Sequence, residues 1–221
     1  MPRHLVVCPG QGAADAQRGR RAASLPEPSL TGVIDVKRMT WRDVAWLSEA
    51  ADDPSACRTT WALNPRAPYM LPTGSFFDVV SVDQRVGLEA FDQLLRRGLL
   101  FGPIMLDHGA RRMGFFMASQ SWQGFADQLA RGEGSAPTYR YLSHGSVVVV
   151  PGPQSVPGDR YEWFRGPTDR PSANPLGPAA LATTLVASAE LLTCADRYGM
   201  NHRTVPAVAP AALEAVPAHA R

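Results

Sequence analysis

"TGSFFDVVSVDQRVGLEAF", Thr73 to Phe91, joins a turn, a short apolar run and an amphipathic segment. Thr73-Gly74 reads as a turn, and Phe76–Val82, short and rich in valine, predicts a buried strand. After Asp83 the spacing of apolar residues becomes helical. Asp83 therefore stands where a strand ends, the position at which metal-dependent phosphoryl-transfer enzymes keep carboxylate ligands. That chemistry needs at least two carboxylates aimed at one point. Asp78 lies five residues away, so a regular strand turns Asp78 and Asp83 to opposite faces.

Working outward, "GLEAFDQLLRRG" predicts a helix with Leu88, Phe91, Leu94 and Leu95 on one face and Gly98 at its end. Upstream, "TWRDVAWLSEAA" predicts a helix capped by Thr40, with Asp43 in its first turn and Trp41, Val44 and Leu47 at helical spacing. "DDPSACRTTWALNP" predicts a second helix, capped by Asp52 or Asp53, begun by Pro54 and stopped by Pro65. Downstream, "PIMLDHGARRMGFFMA" carries a hairpin signature around a polar Asp107–Arg112 turn. A helix over "SWQGFADQLARG", strands over "SVVVVPG" and "RYEWFRG", and a long Ala/Leu helix stopped by Gly199 complete the order. Trp61 and Trp163 are expected to anchor the core, and Gly74 to hold a turn that a β-carbon would hinder. Strands and helices mix without βαβ regularity, which predicts an α+β domain with a mixed or antiparallel central sheet flanked by helices. Its expected bounds are 40–200, after a flexible Gly/Ala/Arg/Pro segment over 1–39 and before a disordered Ala/Pro-rich tail over 201–221.

The chain has 221 residues, 45% of them hydrophobic, which is enough for one compact core. A net charge of +2 gives no bulk electrostatic case for nucleic-acid binding. Lys37 is the single lysine, a bias toward arginine that fits a GC-rich genome of actinobacterial type. Cys8, Cys57 and Cys194 are scattered and form no C-x-x-C pair, which fits a reduced cytoplasm rather than a disulfide scaffold or a zinc site. No apolar run approaches the ~18 residues of a membrane span. A cytoplasmic protein with no membrane partner is expected.

Three segments in fixed order resemble the N-terminal domain of bifunctional DNA primase/polymerases, the prim-pol branch of the archaeo-eukaryotic primase superfamily. "DDPSACRTTWALNPRAPYMLPTG" resembles that family's tryptophan-bearing helix, Asn/Pro turn and strand ending in Thr-Gly. "FFDVVSVDQRVGLEAFDQLL" is similar to its metal-binding strand and the following helix. "GSVVVVPGPQSVPGDRYEWFRGP" is similar to its late strand, proline-rich turn and Tyr-x-Trp strand. Together they cover roughly residues 52–167. The chain also looks like short, stand-alone members that lack helicase or primase partner domains.

The resemblance implies two acidic residues at a D-x-D strand end, a histidine on nucleotide phosphate and a later acidic ligand, together holding Mg²⁺ or Mn²⁺. Residue by residue, those positions here fall on Ser81 and Asp83, on Arg112, and near Arg140 to Leu142. Only Asp83 is a carboxylate, so it alone is a candidate metal ligand. Arg111, Arg112 and Arg140 are candidate phosphate contacts, because a guanidinium can hold phosphate in bidentate fashion.

These residues point to a catalytically degenerate prim-pol-like domain, a pseudoenzyme that binds nucleotide or single-stranded DNA or acts as a regulatory module. Phe115 or Tyr141 would supply stacking in such a groove. The alternatives are a protein-interaction or developmental regulator without nucleotide contacts, and an active metal-dependent primase-polymerase. An Asp107–His108 acid/base pair is a further alternative, with both turn histidines, His108 and His144, otherwise expected in solvent.

Overall fold

A computed structural model describes residues 39–99, 102–132, 136–168, 170–171, 173–174 and 176–201, all within one compact unit. The segments expected to be flexible or disordered, 1–39 and 201–221, lie outside these residues apart from their innermost positions. The chain order is α1 (Trp41–Ser48), α2 (Pro54–Leu63), β1 (Tyr69–Pro72), β2 (Phe77–Asp83), α3 (Gln84–Arg96), β3 (Ile104–Asp107), β4 (Arg112–Ala118), α4 (Trp122–Arg131), β5 (Tyr139–Leu142), β6 (Val147–Val150), β7 (Tyr161–Arg165) and α5 (Leu176–Asn201). The fold is α+β, as expected, and every strand pairing is antiparallel. A five-stranded sheet has the order β5-β2-β4-β3-β7, and β1 and β6 form a separate two-stranded sheet.

Strand periodicity divides the large sheet into two faces. Val80, Val82, Ile104, Leu106, Met113, Phe115 and Met117 pack under α3, α4 and α5 with Phe91, Leu94, Phe125, Leu181 and Leu185. On the other face Phe77, Val79, Met105, Phe116 and Trp163 meet α1, α2 and the inner side of the small sheet, through Leu47, Trp61, Leu71, Val148 and Val150. The sheet is thus sandwiched between two different layers. The second layer covers only part of its face, and the uncovered part forms the cleft described below.

Local chemistry explains the element ends. Thr40 and Asp43 form a reciprocal capping box on α1. Asp53 caps α2 by accepting from the Ser55 and Ala56 N–H groups, and Pro54 occupies the first turn. Trp61 and Trp163 are buried core anchors. Trp41 is not on the buried face of α1: it is 73% exposed, and Trp46 takes the core position with its indole N–H on the Pro167 carbonyl at 2.8 Å. On α3 the buried stripe is Gly87, Ala90, Phe91 and Leu94, while Leu88 and Leu95 face solvent.

Helix α5 corrects two expectations. It runs through Gly199 to Asn201, because an exposed helical glycine costs only about 1 kcal/mol. It is also long and apolar enough, by length and composition, to cross a membrane. Its first half is a core helix, with Leu181, Ala182 and Leu185 fully buried against α3 and α4.

Gly74 holds the turn between β1 and β2 with a φ of +96°, and a β-carbon there would lie 2.2 Å from the backbone nitrogen of His144. Neither the positive φ nor a backbone clash relaxes easily. Gly74→Ala is expected to cost at least about 2 kcal/mol, read as a lower denaturant midpoint at unchanged slope.

Candidate phosphate-binding cleft

Two rows of residues cross the uncovered face of the large sheet. Backbone register places Arg140 of β5, Ser81 of β2, Gly114 of β4 and Met105 of β3 side by side in one row. One step along, Asp83, Arg112, Asp107 and Tyr161 form the next. Positions two apart on a strand share a face, so both rows look the same way. With Leu142 and Val147–Val149, the members of these rows other than Asp83 enclose a cavity of about 290 Å³, lined by Ser81, Asp107, Arg112, Gly114, Arg140 and Tyr161 among others. Gly114 keeps the floor low, since a β-carbon there would press on Met105 and Val79.

Arg112 folds back onto β2. Its Nε donates to Ser81 Oγ at 2.8 Å and a terminal nitrogen donates to the Ser81 carbonyl. Burial, and then the positive charge of Arg140, pull its pKa below the usual guanidinium range, while Asp83 acts in the opposite direction. The Arg140 side chain is exposed and makes no hydrogen bond or ion pair among the described residues. Asp107 accepts from the Ala110 N–H at 3.0 Å and lies 3.7 Å from the Arg160 guanidinium. Two guanidinium groups therefore face one cavity, and the one carboxylate among its described lining residues is already engaged.

Asp83 has another task. Its Oδ1 accepts from the Arg85 N–H at 2.9 Å and caps α3. The Arg85 side chain in turn holds Asp196 of α5 through two bonds of 2.7 and 2.8 Å. Among the described residues no group of three or more His, Cys, Asp or Glu could hold a metal ion. The donor set does not fit Mg²⁺ or Mn²⁺, because the hydroxyl beside Asp83 is bound to a cation and a second cation stands across from it. Arg111 sits in the β3–β4 turn with a φ of +53°, exposed and outside the cavity lining.

Neither stacking residue expected from sequence is available. Phe115 is buried under the helices, and Tyr141 points to that same opposite face, against Trp122 and Phe125. Tyr161 is the aromatic ring on the cleft, with the Arg160 guanidinium 5.0 Å from its centroid. Its alternation with Trp163 in "RYEWFRG" was the signal in the sequence. Asp107 and His108 do not form a pair: His108 Nε2 lies 2.9 Å from Glu162, and Asp107 faces the cavity. His108 and His144 are exposed.

Asp78 faces away from Asp83, as strand parity requires. It is fully buried on the helix side, where Oδ2 accepts from the Tyr141 hydroxyl at 2.8 Å and the Ser121 N–H at 3.1 Å, while Oδ1 has no partner. Burial raises its pKa above the usual carboxylate range, although the Tyr141 hydroxyl and the backbone of Ser121 and Gln120 pull it down. A carboxyl raised in the folded state stabilises below its unfolded pKa of about 3.9 and loses that stabilisation as pH rises through its folded value. Asp78→Asn, which keeps an acceptor for both donors, is expected to flatten this decline in a series of denaturation curves from acid to neutral pH.

The family model described as bifunctional DNA primase/polymerase, N-terminal (Prim-Pol), matches residues 1–179. The chain belongs to this family. No curated protein and no solved structure matches it. Membership implies an interaction with DNA or nucleotides in general. The match reaches well beyond the three resembling segments at both ends. Within the Prim-Pol fold, the positions expected to carry the acidic pair and the phosphate histidine hold Ser81, Asp83 and Arg112, and Ser81 and Arg112 bond to each other.

Proposed function

We propose that this Prim-Pol domain is a catalytically degenerate phosphate-binding module, taking a nucleotide or the backbone of single-stranded DNA in its cleft without two-metal transfer. The observation that carries the reading is the pairing of Arg112 and Arg140 on either side of Ser81 in one open cavity. Arg112 is held in place by Ser81, so little side-chain freedom is lost when an anion arrives. Arg140 offers donors that have no partner among the described residues, and Tyr161 offers a ring for a base.

In chemical terms the cleft would hold and orient a phosphate while supplying no carboxylate pair to organise attack on it. A base on Tyr161 would give affinity with little sequence preference. Titration of fluorescent oligo(dT) at low and moderate salt tests the reading. Binding is expected at low salt and should weaken as salt rises, because each phosphate neutralised releases counterions. Absence of binding at low salt would remove it.

A further inference from the structure

Among the described residues strand β6 is hydrogen-bonded along one edge only, pairing with β1 and with no other strand. The Thr73 N–H donates to the Ser146 carbonyl at 2.9 Å, in the register that sets Pro72 opposite Val147 and Leu71 opposite Val148. Bonded and non-bonded pairs alternate along an antiparallel ladder. Val148 and Val150 therefore bond to β1, whereas Val147 and Val149 turn their N–H and C=O groups to the free side. Pro72, which has no N–H, sits opposite Val147, as this alternation demands.

That free side opens on the cleft, where Val147, Val148 and Val149 form one wall. The inner face of the small sheet, Leu71, Val148 and Val150, looks onto the large sheet. Its outer face carries Met70, Pro72, Val147 and Val149, with Met70 60% and Val147 53% exposed. A strand laid beside β6 would therefore turn alternate side chains inward over Arg140, Ser81 and Arg112. The remaining side chains would extend the apolar outer face. Carboxylates suit the inward positions, because the cations there outnumber the free anions and Arg140 has no partner among the described residues. A second copy of the chain suits them poorly, since pairing β6 with its twin would gather two sets of Arg112 and Arg140 at one seam.

We propose that the free edge of β6 binds an extended segment of a protein partner, alternating acidic and apolar residues, as an added strand. The inference goes beyond the phosphate-binding reading and does not rest on it. Main-chain bonds at Val147 and Val149 would supply register, and Arg140 and Arg112 would select charge.

The test uses the full chain and a capped peptide of about eight residues alternating valine and glutamate. Amide hydrogen exchange is read with the peptide, with its lysine counterpart, with a version N-methylated along one edge, and with oligo(dT). The glutamate peptide is expected to slow exchange at Val147 and Val149, while the lysine and N-methylated peptides do not. Val149→Pro removes an outward N–H without touching the β1 ladder and should weaken binding at least about tenfold, as should Arg140→Glu. Four results would overturn the proposal. They are no protection by the glutamate peptide, equal protection by the lysine peptide, protection already present in the free chain, and protection of these amides by oligo(dT) in place of the peptide.

Discussion

Phe116→Ala is expected to destabilise the fold by about 3–5 kcal/mol, the range for truncating a large aromatic core residue. Phe116 lies on the middle strand of the large sheet, essentially without solvent exposure. Its ring is 5.0 Å from that of Phe77 and 5.5 Å from that of Trp163, and Phe77 passes the contact to Trp46 of α1 at 6.4 Å. Truncation leaves a hole between the sheet and its second layer that three rigid aromatics cannot close. Total stability of a domain this size is about 5–15 kcal/mol, so the variant should unfold well below the wild-type midpoint in urea. A loss near 1 kcal/mol would mean that the layers repack around the hole.

The second large effect falls on the cleft. A hydrogen bond to a charged group contributes about 1.5–3 kcal/mol, so reversing one of the two guanidinium groups should weaken phosphate binding by roughly ten- to a hundredfold. Arg140→Glu is the cleaner variant, because the Arg140 side chain is exposed and has no partner among the described residues that its loss would orphan. Arg112→Glu puts a carboxylate beside Ser81, where the Ser81 carbonyl and Asp83 both disfavour it, so it should weaken binding and also lower stability. Arg111→Glu, in the turn outside the cavity, is expected to change affinity far less. Fluorescence titration of the three variants at one salt concentration would rank them. Equal losses at all three positions would show a diffuse basic surface instead of a defined cleft.

Much of the fold was legible because local rules and tertiary packing agree. The Thr40–Asp43 box, Asp53-Pro54, Gly74 and the Asp107–Arg112 turn each carry their own chemistry and fold as that chemistry requires. The opposition of Asp78 and Asp83 followed from strand parity alone. Strand pairing was harder to read. "SVVVVPG" looks like a central strand, yet β6 leaves the large sheet to join β1, a choice fixed by contacts between residues far apart in sequence. Strand β5 is only four residues long, too short for the alternation of "YRYL" to declare itself. Its two tyrosines face the helices and its arginine faces the cleft, so one short strand links the buried Asp78 to the open site. Trp41 and Trp46 have the same composition-level claim on the core, and tertiary contacts with Pro167 and Phe77 select Trp46.

The candidate site was legible as a set of positions and not as an arrangement. Ser81, Arg112 and Arg140 do share one cavity, while Asp83 caps a helix and Arg111 lies outside the lining. The bond from Arg112 to Ser81 spans 31 positions, and no spacing rule predicts it. It changes the chemistry most, because a fixed guanidinium beside Ser81 supplies positive charge where a metal-dependent site would gather carboxylates.

Calorimetric titration of a deoxynucleoside triphosphate, once with excess EDTA and once with Mn²⁺, tests this most directly. Binding is expected to persist in EDTA and to weaken roughly ten- to a hundredfold in Arg140→Glu. Binding that requires Mn²⁺ and disappears in Asp83→Ala would contradict this and restore a metal-dependent site.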